Sequence, residues 1–146
     1  MDWEKYNNKT PLFTLEGSFV QGKIVDVYDG DTVKVVLNLP INSQYFRWNC
    51  RLSGINTPEI RTKNLKEKEF GLLVRDKLKE RIEDKILLIK CGEFDKYGRL
   101  LVEIYENQEA ALWSAPHQLY SINNWLIENN YAKPYDGGTK EEWFKE

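Results

Sequence analysis

Hydrophobic and polar residues alternate along three segments in the first part of the chain, which is the pattern of half-buried β-strands. The segments are residues 18–28, 31–39 and 45–55, and the alternation is most regular in the second. Asp29-Gly30, between the first two segments, is a strong signal for a hairpin turn. Thr57-Pro58 ends the third segment, because proline cannot donate a hydrogen bond to a sheet. We therefore predict three consecutive strands.

Apolar residues recur every fourth position in the middle of the chain, which is the spacing of one face of an α-helix. The residues with this spacing are Phe70, Val74, Leu78 and Ile82. Asn64 and Glu67 precede them and are placed to form a capping box, in which each side chain accepts from the other residue's backbone N–H. The pattern predicts a helix that begins just after Asn64.

The remaining elements complete a fold. Two strands are predicted near residues 86–91 and 100–105, a second helix near 119–130, and a short polar helix over 139–146. Three strands, a helix, two strands and a helix is the order of a five-stranded OB-type barrel, in which a helix fills the gap after the third strand. We predict an α+β fold, mainly β, with a five-stranded OB-fold barrel and two to three helices.

The chain has 146 residues, enough to bury one core. Residues 1–17 are polar with scattered aromatic residues and are expected to form an N-terminal arm, anchored by Leu12 or Phe13, on one domain of residues 18–146. A bilayer-spanning helix needs about 20 apolar residues, and no run is that long, so we expect no membrane association. We also expect a monomer. The first residues lack the pattern of a signal peptide, which favours an intracellular (cytoplasmic) or virus-encoded protein.

Charge and cysteine content change this picture little. The net charge of −2 counts mildly against a nucleic-acid partner, but the segment 60–85 carries nine basic and six acidic residues. Most of these charges are expected on a solvated helix face, and the basic residues that come before or at its start are the better phosphate-binding candidates. Those candidates are Arg61, Lys63, Lys66 and Lys68. Cys50 and Cys91 lie in apolar strand segments, which favours buried thiols over a disulfide.

Several polar residues are predicted to meet at one end of the barrel. A simple hairpin between the second and third strands places Asp31 close to Ile55 and Asn56. Asp31, Asn56 and the Thr57 carbonyl are all oxygen donors, which suit a hard cation such as calcium. Arg51, inside a half-buried strand, needs a partner, either an anionic ligand or a structural carboxylate.

Four sequence segments together resemble the staphylococcal nuclease, or thermonuclease, family. They are VYDGDTV at 27–33, CRLSGINTPE at 50–59, FDKYGRL at 94–100 and YAKPY at 131–135. The resemblance covers roughly residues 22–135. It implies an OB-type barrel with helices and a calcium-dependent enzyme that hydrolyses phosphodiester bonds of DNA and RNA. Low sequence specificity is expected because contacts to the backbone and sugar carry little sequence information.

The resemblance also implies roles for individual residues. Arg51 and Arg99 match the two arginines that bind the phosphate, and Glu59 matches the carboxylate that orients or activates the attacking water. The matching calcium ligands are Asp31, Asn56 and the carbonyl of Thr57. The residues expected near the nucleic acid are Lys96, Tyr97 and Tyr135, with Lys63 added from its charge.

One position departs from the family pattern. Where the family usually has Asp-Thr-Pro-Glu, this chain has Asn56 as the first residue. Calcium affinity depends on the number of ligand charges, so we expect weaker calcium binding here. One alternative to a nuclease is therefore a catalytically weak or inactive nucleic-acid-binding module. A second is a protein-interaction domain, which the acidic pI of about 5.6 and aromatic residues such as Trp3 and Trp143 suggest.

Overall fold

The computed structural model describes residues 2–39, 43–106, 120–140 and 142–144. Within these ranges a one-turn 3-10 helix, Trp3–Lys5, precedes the first strand. The strands are β1 (Phe19–Val27), β2 (Thr32–Asn38), β3 (Tyr45–Leu52), β4 (Ile55–Asn56), β5 (Ile86–Phe94), β6 (Leu100–Tyr105) and β7 (Lys133–Pro134). The α-helices are α1 (Leu65–Ile82) and α2 (Ile122–Glu128).

Five of the strands close into a barrel with the order β1-β2-β3-β6-β5, which confirms the predicted α+β architecture. All neighbouring pairs are antiparallel except β3 and β6, which run parallel. The sequence did not predict a second, two-stranded sheet of β4 and β7, which brings residues 133–134 beside residues 55–56. This ribbon carries the C-terminal segment to the end of the barrel where β3 finishes.

The core lies inside the barrel and beneath α1. Alternation along β2 buries Val33, Val35 and Leu37 completely, as the sequence predicted. Helix α1 contributes three residues from its predicted apolar face, each with no exposed surface: Val74, Leu78 and Ile82. Cys50 and Cys91 are buried free thiols, and burial raises their pKa to about 12 and about 11.

Four local predictions are wrong. Strand β3 ends at Leu52 rather than at residue 55, because Ser53–Gly54 forms a turn and Gly54 takes a positive φ of 78°. Helix α2 begins only after Ser121, whose side chain accepts from the Asn124 N–H and caps it.

The other two errors concern the chain ends. Leu15, 7% exposed, anchors the N-terminal segment, whereas Leu12 is 93% and Phe13 71% exposed. The described residues of the predicted helix over 139–146 are not helical. This segment is short and polar, so it has no apolar stripe to stabilise it as a helix. The ring of Trp143 packs on Phe70 of α1 instead.

The loop predicted over 107–118, with the single histidine His117, lies outside the described residues. In the part of the chain that is described, no helix is long and apolar enough to cross a bilayer.

Candidate active site

Arg51, near the end of β3, is charged and yet only 8% exposed. Its guanidinium donates to the carbonyl oxygens of Leu52 at 3.1 Å and Ile55 at 3.0 Å, and it forms an ion pair with Asp31 Oδ2 at 3.4 Å. The sequence left open whether Arg51 pairs with an anionic ligand or with a structural carboxylate, and Asp31 is such a carboxylate. The same contacts confirm that Asp31 lies close to residue 55. Because both terminal nitrogens are engaged, the guanidinium is held in one position.

The turn between β1 and β2 is packed tightly against other elements. The predicted hairpin is present, but Gly30 does not take a positive φ. Gly30 instead allows the turn to approach its neighbours closely, since a Cβ there would lie 2.7 Å from Val74 Cγ1 and 2.9 Å from Thr57 Cβ. The glycine therefore allows the turn that carries Asp31 to rest directly on Thr57 and on α1.

Several buried oxygen atoms at this end of the barrel could bind a cation. Asn56 and Thr57 are 4% and 2% exposed, and the Asn56 side-chain oxygen is buried with no hydrogen-bond partner. An oxygen in that position is normally satisfied by a donor, a water or an ion. Among the described residues no group of three or more His, Cys, Asp or Glu side chains could hold a metal, so a site here would need amide and carbonyl oxygens too. Oxygen donors of mixed charge are what calcium accepts.

The electrostatics of the turn point the same way. Burial, with the nearby Asp31 carboxylate as a second cause, raises the pKa of Asp29 from its ordinary value of 3.8 to about 7. The Asp29 carboxylate also accepts from the Asp31 N–H at 3.1 Å. Two acidic side chains this close repel each other when both are ionised, and a cation would relieve that repulsion.

We expect Asp29→Asn to stabilise the protein at neutral and higher pH in the presence of a chelator. Because the folded pKa lies above the unfolded one, the contribution of Asp29 to the free energy of unfolding is greatest below about pH 4 and falls as the pH rises to about 7. Asparagine keeps the oxygen that accepts from the Asp31 N–H but cannot ionise. The variant should exceed the wild type above pH 7 by on the order of 1 kcal/mol or more, measured by urea unfolding across this pH range.

Asp76→Asn serves as the control, since Asp76 is exposed on α1 and forms an ion pair with its neighbour Arg75. It should leave the pH dependence unchanged. A difference between wild type and Asp29→Asn that stays constant from pH 4 to pH 8 would contradict the expected effect.

The loop between β5 and β6 presents a second arginine. Asp95 organises it: its carboxylate accepts from the N–H groups of Tyr97 and Arg99, both at 2.9 Å, and from Arg99 Nε at 2.7 Å. Burial alone would raise the pKa of Asp95, but these donors and the Arg99 charge lower it overall. Gly98 closes the loop with a φ of 81°. The turn is therefore built so that an ionised Asp95 holds the Arg99 side chain.

Five of the predicted residues line one cleft of about 620 Å³: Arg51, Lys96, Tyr97, Arg99 and Tyr135. Tyr135 lies below Arg51, whose guanidinium carbon is 5.5 Å from the centre of the ring. Tyr97 is 71% exposed and lies near both neighbouring cations, with its ring centre 5.2 Å from Lys96 Nζ and 5.3 Å from the Arg99 guanidinium carbon. Lys63 is exposed in the loop before α1 and does not line this cleft.

Glu59 is attached to the cleft through a residue that the sequence did not single out. Its carboxylate, about half exposed, pairs with Lys140 Nζ at 3.4 Å, and Lys140 lines the cleft. Lys140 Nζ also lies 5.8 Å from the centre of the Tyr135 ring. The sequence signal was the Asp136-Gly137-Gly138 turn, which folds the chain back toward Tyr135, whose hydroxyl donates to the Gly138 carbonyl at 2.7 Å.

Comparison with known proteins supplies the family. Residues 49–144, about two thirds of the chain, match the family described as staphylococcal nuclease homologue. This chain belongs to that family. The match includes the C-terminal half of β3 with Arg51, the 95–99 loop and Lys140, whereas Asp31 and the turn before β2 precede it and are joined to the site by the contacts of Arg51 and Gly30.

This staphylococcal nuclease homologue is similar to several curated proteins. An uncharacterized protein of Methanocaldococcus jannaschii is 29% identical over 150 residues, covering 89% of this chain and 66% of the relative. Protein ParB of Escherichia coli is 29% identical, covering 80% and 58%, and Endonuclease Htp3 of Saprolegnia parasitica is 26% identical, covering 80% and 56%. The chain thus spans about 56 to 66% of the length of these relatives.

Proposed function

We propose that this chain is a calcium-dependent nuclease that hydrolyses phosphodiester bonds of DNA and RNA with low sequence specificity. The observation that carries the proposal is the pair of arginines, Arg51 and Arg99, which line one cleft and are each held by a carboxylate. Membership of the staphylococcal nuclease homologue family and similarity to a protein named endonuclease support it.

The two arginines suit a phosphodiester because a guanidinium offers paired N–H donors that match phosphate oxygens. Negative charge grows on those oxygens as water attacks phosphorus, so fixed positive charge aimed at them favours the transition state over the substrate. Asp31 and Asp95 hold the two side chains before substrate binds, which reduces the reorganisation needed during the reaction. Arg51 and Arg99 are therefore proposed to bind the scissile phosphate.

Glu59 is the proposed general base. A carboxylate in this role orients the attacking water and accepts its proton, a contribution typically worth 10² to 10⁴ in rate. The contact with Lys140 keeps the Glu59 side chain at the cleft. Lys96, Tyr97 and Tyr135 are proposed to bind the neighbouring phosphate and stack on splayed bases, interactions that every nucleotide can make, and Lys63 to attract the backbone from outside the cleft.

Asp31, Asn56 and the carbonyl of Thr57 are the proposed calcium ligands. When bound, calcium would polarise the phosphoryl oxygen and help to supply the attacking water. The unsatisfied Asn56 oxygen and the raised pKa of Asp29 support a cation at this place. Asn56 brings no charge, and this observation favours the second candidate, a nucleic-acid-binding module with little catalysis.

A digestion assay separates these candidates. Purified protein is incubated with single-stranded DNA, duplex DNA and RNA in millimolar calcium or in chelator, and binding is measured in parallel. Glu59→Gln, purified in the same way, controls for contaminating nucleases and should lower the rate by at least about 100-fold. Binding without turnover would support the binding module, and equal cleavage by wild type and Glu59→Gln would assign the activity to a contaminant.

Asn56→Asp is expected to lower the calcium concentration needed for half-maximal cleavage by roughly tenfold or more, equivalent to about 1.4 kcal/mol of binding free energy. The variant adds a ligand charge, and calcium affinity rises with ligand charge. Without calcium the buried new carboxylate should lower the melting temperature, and calcium should restore it. Titrations of activity and of melting temperature measure both effects.

Asn38→Asp is the matched control, since Asn38 is exposed at the opposite end of β2 from Asp31. It adds the same charge away from the site and should leave the calcium titration unchanged. If Asn56→Asp also leaves that titration unchanged, Asn56 is not a ligand.

A further inference from the structure

The backbone of Glu59 is fixed by α1, although its side chain is exposed. The N–H of Glu59 donates to Glu67 Oε2 at 2.8 Å. A hydrogen bond from a backbone N–H to a carboxylate is charge-assisted and stronger than one between neutral groups. Glu67 lies in the first turn of α1, so the contact ties the loop that carries Glu59 to an 18-residue helix.

Glu67 makes this contact because the predicted capping box is only half formed. The Asn64 side chain accepts from the Glu67 N–H at 3.1 Å, as expected of a helix cap. In a complete capping box the Glu67 carboxylate would accept from the Asn64 N–H. That N–H instead donates to Thr62 Oγ1 at 3.2 Å. The Glu67 carboxylate is thereby available to the Glu59 N–H.

The next residue on the same face of α1 strengthens the attachment. Gly71 lies one turn after Glu67, and a Cβ there would be 2.9 Å from the Pro58 carbonyl oxygen and 3.0 Å from that of Glu59. Glycine therefore lets the Pro58–Glu59 backbone rest on the helix surface. Val74, a further turn along, packs on Gly30 in the turn before Asp31. One face of α1 thus holds both segments that carry acidic residues of the site.

We propose that Glu67 is a positioning residue for phosphodiester cleavage, acting through its hydrogen bond to the Glu59 backbone. The proposal rests on the function proposed above, in which Glu59 is the general base. Pro58 before Glu59 and Gly71 beneath it restrict the loop, and the Glu67 carboxylate provides the directional contact. Without that contact the Glu59 carboxylate samples positions away from the attacking water, and geometric errors of about 1 Å can lower rates 100-fold.

The test compares Glu67→Ala with Glu67→Gln. Alanine removes the acceptor, whereas glutamine keeps a side-chain oxygen that can accept from the Glu59 N–H. We expect alanine to lower kcat about ten- to 100-fold with KM changed less than about threefold, and glutamine to restore most of the rate. Glu69→Ala, which removes an exposed acidic side chain from the same part of α1, should cleave at the wild-type rate.

Two measurements distinguish positioning from a general loss of structure. The NMR resonance of the Glu59 amide should shift upfield and exchange faster in Glu67→Ala but not in Glu67→Gln. In a Glu59→Gln background, Glu67→Ala should lower kcat no further, because the group it positions is already gone.

The outcomes separate this proposal from the one it rests on. Full kcat in Glu67→Ala, or an equal loss in the alanine and glutamine variants, would overturn the positioning role while leaving the nuclease in place. Absence of calcium-dependent cleavage by the wild type would overturn the proposed function and this role together, whatever the amide shows.

Discussion

Replacing Arg51 by lysine is expected to lower kcat for phosphodiester cleavage by about two to three orders of magnitude, which is typical of losing one fixed donor to a developing oxyanion. The guanidinium reaches Asp31 and the carbonyls of Leu52 and Ile55 while it lines the cleft. A lysine ammonium is a single point of charge and cannot make these contacts and also keep further N–H donors for a phosphate. Steady-state kinetics on single-stranded DNA would measure the effect.

Arg47→Lys is the control for this experiment. Arg47 lies on the same strand, four residues earlier, and is exposed, so the substitution should leave kcat within about twofold, as for other surface changes. Wild-type kcat in Arg51→Lys would remove Arg51 from the reaction and leave it as a structural partner of Asp31.

Asn123→Ala is expected to lower the free energy of unfolding by about 2–4 kcal/mol, because it leaves buried polar groups without partners. Asn123 is 4% exposed on α2. Its oxygen accepts from the Ile104 N–H at 3.2 Å, and its amide nitrogen donates to the carbonyls of Ser53 at 2.9 Å and Val102 at 3.0 Å. One side chain thus joins α2 to β6 and to the turn that follows Arg51.

Urea unfolding measures this loss, and Asn124→Ala provides the comparison. Asn124 is the exposed neighbour on α2, so its replacement should cost less than about 1 kcal/mol. Equal stabilities of the two variants would show that the three Asn123 contacts contribute little. Because the Ser53 turn follows Arg51, Asn123→Ala should also lower kcat when assayed well below its unfolding midpoint.

The sequence predicted most of the fold, because the signals involved are short-range. Alternation of apolar residues gave β1, β2 and most of β3, and a four-residue apolar period gave α1 with Asn64 as its cap. The order of these elements gave the five-stranded barrel. Where strand or helix ends depend on one turn residue, as at Gly54 and Ser121, the predicted bounds were wrong by a few residues.

For the site, sequence motifs selected residues that the fold brings together. Arg51 and Arg99 are far apart in the chain but line one cleft. Asp31 lies against Arg51, as expected from the predicted hairpin between the second and third strands. The roles assigned to them, and the calcium ligands, stay predictions for the experiments above. Lys63, chosen for charge alone, lies outside the cleft. A charged residue outside any motif gives no information about which part of the folded surface it will occupy.

What the sequence determined by itself is the barrel, the capped α1 and the set of polar residues that resembles the staphylococcal nuclease family. What only the tertiary structure decided is how these residues are held. The Glu59 carboxylate contacts Lys140, 81 positions away, and the backbone N–H of Glu59 donates to Glu67. Gly30 allows close contact between elements and does not form a left-handed turn. Periodicity and turn chemistry act over a few residues, whereas such contacts depend on how finished elements pack, and packing is specified by the whole chain at once.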